Sequence, residues 1–121
     1  MKLTDYIKET SSTRETMWNG IFIYVKDDLP NDVSLKNVLM DVNNKLPDHL
    51  MRYVDSIYVG QFEDLANRNL NAMFKGGAIY VSNEQDNEDD MCDDIIHEFA
   101  HSLEEQHKTQ IYGDAKIENE F

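Results

Sequence analysis

The chain has one cysteine and two prolines in 121 residues, and its 11 Lys and Arg face 24 Asp and Glu. Each shortage excludes something. A lone thiol, Cys92, allows no internal disulfide framework, so a hydrophobic core must hold the fold. A formal net charge of -13 opposes a nucleic-acid partner, whose phosphates are gripped by Lys and Arg. No apolar run approaches the roughly 20 residues that cross a bilayer. No secretory leader is visible, and the default compartment is the cytoplasm. With 40% hydrophobic residues, residues 1–121 are expected to form one compact domain with a modest core.

Against this background, the stretch His97-Glu98-Phe99-Ala100-His101 is the most informative feature present. Residues four apart on a helix lie one turn apart on the same face. His97 and His101 can therefore grip one metal ion from a single element. Glu98, next to His97, can reach a water on that ion as general base. The flanking residues support a helix, because Ile95, Ile96, Phe99, Ala100 and Leu103 recur at helical spacing with no Pro or Gly between them. Asp89 and Asp90 are candidate caps, and Asp93 and Asp94 suit the positive end of the helix. Ile96, Ala100 and Leu103 are expected to line the buried stripe, with Phe99 on a flank.

Catalytic zinc usually takes three protein ligands and an open position. Glu104, Glu105, His107, Asp114, Glu118 and Glu120 are the candidates for the third. Glu104 and Glu105 share the helix of the histidines, and one straight helix does not readily surround an ion. A separate segment fits better. Gly113 can turn the chain back, so that residues 114–121 begin a second helix capped by Asp114, with Glu118 or Glu120 toward the metal.

At this point the chain resembles a small gluzincin-type zinc metallopeptidase, closest in local pattern to the anthrax lethal-factor peptidase family. HEFAHSLEE, residues 97–105, resembles that family's zinc helix. YGDAKIENEF, residues 112–121, resembles its later segment, where a Tyr precedes a Glu-aromatic pair. The resemblance covers roughly residues 76–121. It implies a zincin-like α+β fold, in which a small mixed twisted sheet packs against the HExxH helix and a following helix supplies the third ligand. It also implies that Glu120 completes a zinc site with His97 and His101, and that Tyr112 assists catalysis. The gap from His101 to Glu120 is shorter than in large family members, and the chain stops one residue after that Glu. A shortened form of a longer domain would look like this; otherwise another residue serves as the ligand.

The rest of the chain reads as scaffold. Strands are expected over residues 20–26, 53–60 and 77–82, and helices over 33–46 (capped by Ser34) and 62–70. A turn or hairpin is expected at 71–77, and a loose helix over 1–16 docked through Leu3, Ile7 and Trp18. In zinc peptidases of this architecture, an edge strand upstream of the zinc helix binds extended substrate by strand addition, a role that residues 77–82 could fill. The acidic run from Glu84 to Asp94 reads as a solvated loop and helix cap, or as a field favouring basic peptides; it lacks the spacing of a calcium loop. Three functions remain open: a zinc endopeptidase acting on peptide or protein substrates, a noncatalytic zinc-binding interaction or regulatory module, and a metal-free acidic binding protein. Oligomeric state is not legible.

Overall fold

The computed structural model describes the backbone of residues 14–120 and the side chains of residues 14–107. Strand β1 (Glu15–Trp18) turns into β2 (Ile21–Val25), and helix α1 (Leu35–Lys45) and a short 3-10 turn (Asp48–Met51) lead to β3 (Ser56–Val59). Helix α2 (Glu63–Arg68), the hairpin of β4 (Ala72–Lys75) and β5 (Ala78–Val81), and helix α3 (Glu88–Glu120) follow. The strands form one twisted sheet in the order β1-β2-β3-β5-β4. β2, β3 and β5 run parallel, and β1 and β4 are antiparallel edges. The architecture is mixed α+β, with the HExxH sequence on α3.

Local chemistry explains both hairpins. Asn19 and Gly20 adopt φ of 53° and 79°, and Gly76 and Gly77 adopt 58° and 83°. Two successive left-handed residues make the tight turn whose twist matches paired strands. The Asn-Gly signal therefore makes residues 15–18 a strand, which corrects the helix expected over residues 1–16 at its end; residues 1–13 lie outside the described residues. Helix α1 begins where its sequence says, with the Ser34 hydroxyl accepting from the Asn37 N–H at 3.3 Å. Helix α2 ends at Asn69, which takes the left-handed conformation (φ 52°).

Helix α3 differs from expectation in three ways. Its cap is Asn87, whose side-chain oxygen accepts from the Asp90 N–H at 2.8 Å, in place of Asp89 or Asp90. Its buried face carries Met91, Cys92, Ile95, Phe99 and Ser102, whereas Ile96 and Leu103 are half-buried and Ala100 is exposed. Met91, Ile95 and Phe99 repeat every fourth residue, so the true stripe is rotated by about one residue, or 100°. The third difference is length, since α3 continues to Glu120 as a single element of 33 residues. No break occurs at Gly113, and among the described residues the segment expected as a second helix is part of α3. One glycine costs a helix only about 1 kcal/mol relative to alanine, and its neighbours Asp114, Ala115 and Lys116 offer no proline to enforce a stop.

The core lies between the sheet and the pair α1 and α3. Ile23, Ile57, Val59, Ile79 and Val81 from the sheet meet Val38 and Val42 of α1 and Ile95 and Phe99 of α3. The Trp18 and Phe99 rings stand 6.3 Å apart. The buried Ser102 hydroxyl is satisfied by donating to the Phe99 carbonyl at 2.6 Å. The carboxylate of Glu88, at the start of α3, accepts from the Ser34 N–H at 2.7 Å and ties the two helix beginnings together. Among the described residues, no helix is long and apolar enough to cross a membrane.

Candidate metal centre

Burying Ile95 and Phe99 fixes the rotation of α3, and that rotation decides where the intervening residues point. His97 and His101 emerge beside the core-facing stripe and are exposed, while Glu98 lies between them and the sheet at 6% exposure. The Nε2 atoms of the two histidines are 2.9 Å apart, and the rings meet edge to face at a centroid distance of 4.4 Å. Ligand atoms of His97, Glu98 and His101 all fall within 4.8 Å of one another, a group capable of holding a metal ion. Two nitrogens on one tetrahedral zinc would stand about 3.3 Å apart, given a Zn–N distance of about 2.0–2.1 Å. The rings therefore need only a slight opening to share an ion.

Glu98 is the buried carboxylate of the group. Burial pushes its pKa above the ordinary value, the neighbouring His101 and His97 oppose that rise, and Asp94 adds to it. The backbone N–H of Phe74, on strand β4, faces the carboxylate and also works against the rise. Such a group holds its proton more readily than a surface glutamate, as a general base that must later act as an acid requires.

A cleft of about 530 Å³ opens between α3 and the segment from Arg68 to Phe74, with Asp94, His97, Glu98 and His101 on its helical wall. Its other wall is β4, the edge of the sheet. Residues 77–82 were expected to supply this edge; instead, β5 lies inside the sheet between β3 and β4. The correction has a visible cause: Ala78, Ile79 and Val81 are all buried, as a strand covered on both sides demands. The Ser82 N–H donates to the Asn71 carbonyl at 2.8 Å, marking a bonded position one step beyond the Ala72–Val81 pair. Alternation along an antiparallel ladder then turns the backbone groups of Ala72 and Phe74 outward, toward the cleft. The Phe74 N–H faces Glu98, and the Phe74 carbonyl and both groups of Ala72 complete this edge.

The structure thus brings together His97, Glu98 and His101. Glu104 lies on the far side of His101, its carboxylate 3.4 Å from Nδ1. Glu105 and His107 are exposed. The side chains of Tyr112, Asp114, Glu118 and Glu120 lie outside the described residues. As part of α3, however, the backbone at Glu120 is about five helical turns beyond His101. Asp94 is the cleft residue that the motif alone does not reveal. Burial, then Asp90 and Asp93, raise its pKa, and His97 lowers it. Its spacing of three and four residues from His97 and Glu98 was the available signal. Compared with known proteins, the chain matches no family model, no curated protein and no solved structure.

Proposed function

We propose that this protein is a zinc-dependent endopeptidase whose metal is held by His97 and His101. The observation that carries the reading is the convergence of two Nε2 atoms, a buried glutamate and a free sheet edge on one cleft. Zinc at this position would supply Lewis acidity, polarising a scissile carbonyl and acidifying water. Glu98 takes a proton from the attacking water and delivers it to the departing amine. The outward backbone groups of Ala72 and Phe74 pair with an extended peptide and hold its carbonyl beside the histidines. The net charge of -13 and the position of Asp94 in the cleft favour basic peptides.

The family resemblance would add Glu120 as third ligand and Tyr112 as a donor to the developing oxyanion. Both roles require the chain to turn back at Gly113, which α3 does not do. One observation therefore favours a second reading: among the described side chains, a continuous α3 presents the two imidazoles and the adjacent Glu98 to the metal, as a noncatalytic zinc-binding module would. Digestion of a peptide library by the zinc-loaded protein, run beside Glu98→Gln, separates the two. The enzyme reading expects cleavage by the wild type, none by Glu98→Gln, and zinc bound by both. Equal cleavage by the two proteins would refute the role of Glu98; zinc binding with no cleavage by either would establish the module.

A further inference from the structure

We propose that Glu104 is a positioning residue for the metal, fixing His101 in the tautomer and orientation that leave its Nε2 free to bind. The inference rests on the reading of His97 and His101 as metal ligands. A neutral imidazole carries its proton on one nitrogen and a lone pair on the other, so whatever accepts the proton decides which nitrogen can bind. In His101 the two nitrogens face different surroundings. Nδ1 is 3.4 Å from the Glu104 carboxylate, and Nε2 is 2.9 Å from Nε2 of His97. At 3.4 Å the pair is an electrostatic contact just beyond hydrogen-bond length; a carboxylate accepts only, so its charge favours the proton on Nδ1 and leaves the Nε2 lone pair to the metal. Carboxylates behind ligating histidines act in this way in metal sites generally, raising ligand basicity and holding the ring.

Position along the helix supports the assignment. Glu104 is three residues beyond His101, one of the two spacings at which helical side chains meet. The corresponding place beyond His97 is Ala100, whose methyl group accepts nothing. The carboxylate that α3 offers His97 is instead Asp94, three residues before it in the cleft. Glu104 and His101 side chains are 63% and 45% exposed, so solvent screens the pair and its stabilising effect on the fold is small. Its consequence falls on the metal.

The test is zinc affinity, measured by competition with a chromophoric chelator, together with ¹⁵N shifts of the metal-free His101 ring. Wild type, Glu104→Ala, Glu104→Gln and a remote charge control on the exposed face of α2, Glu63→Gln, are compared. Glu104→Ala should bind zinc at least about tenfold more weakly, and its His101 should shift from the Nδ1–H toward the Nε2–H form. Glu104→Gln keeps an oxygen acceptor and should recover part of both effects. Glu63→Gln should match the wild type, and the melting temperatures of all the metal-free proteins should agree closely. Affinity in Glu104→Ala within about twofold of the wild type, or an unchanged His101 tautomer, would overturn the assignment while leaving the zinc site standing. A wild type that takes up no zinc would overturn the zinc reading beneath it, and the proposal with it.

Discussion

Truncating Phe99 tests whether α3 is rotated as described, because the whole site depends on that rotation. Phe99 has no exposed surface, heads the largest fully buried side chains and touches Trp18. Phe99→Ala removes a ring from a packed interior, which typically costs about 3–5 kcal/mol in lost transfer energy and residual cavity. A domain of this size is stable by about 5–15 kcal/mol in total. The variant should therefore be folded but marginal, with Tm lower by about 12–20 °C at roughly 4 °C per kcal/mol. Its neighbour supplies the contrast. Ala100 is exposed, so Ala100→Lys should change stability by less than about 0.5 kcal/mol. Urea unfolding followed through the fluorescence of the single Trp reads both, provided that the slope with denaturant is unchanged. The reasoning fails if Ala100→Lys unfolds the protein while Phe99→Ala loses under about 1 kcal/mol. That outcome would rotate His97 and His101 away from the cleft.

Other outcomes follow from single groups. Glu98 has a pKa raised by burial above its ordinary 4.5; in the metal-free fold this favours the protonated form, so its contribution is fully present at low pH and is lost as pH rises through the raised value. With chelator present, Glu98→Gln should thus match the wild type in acid and gain on it from about pH 4.5 upward, levelling off above the raised pKa; thermal melts across pH check this, and a wild type that pulls ahead as pH rises would contradict it. Asn87→Ala removes the cap of α3 and should cost about 1 kcal/mol in urea unfolding. Gly77 has φ of +83°, and a Cβ there would stand 2.9 Å from Asp55 Oδ2. Gly77→Ala should therefore destabilise by about 1–3 kcal/mol, while Gly76→Ala, with open space around it, should cost less by the same assay.

The sequence carried the metal motif in full, because helical geometry alone places residues 97, 98 and 101 together. It carried α1 with its Ser34 cap, and β2, β3 and β5 near their true limits. It was less clear where one signal had two readings. On α3 the apolar residues from Met91 to Leu103 spread over about half of the helix circumference, so periodicity alone left the buried face ambiguous by one residue. The edge of the sheet was hidden because strand order is a long-range property. Residues 77–82 read as an edge strand, but β4 pairs with β5 through the Gly76–Gly77 turn and takes the edge. The Asn19–Gly20 turn was present in the sequence as a hairpin signal and outweighs the polar, helix-like composition before it. Asp94 joined the cleft only once β4 supplied the opposite wall.

The central claim is that His97 and His101 together collect one metal ion. Zinc titration of the full chain, followed by calorimetry, tests it most directly when wild type, His97→Ala and His101→Ala are run side by side. One zinc per chain in the wild type, with loss of that site in each variant, is the predicted result. Equal zinc uptake by all three proteins would contradict it.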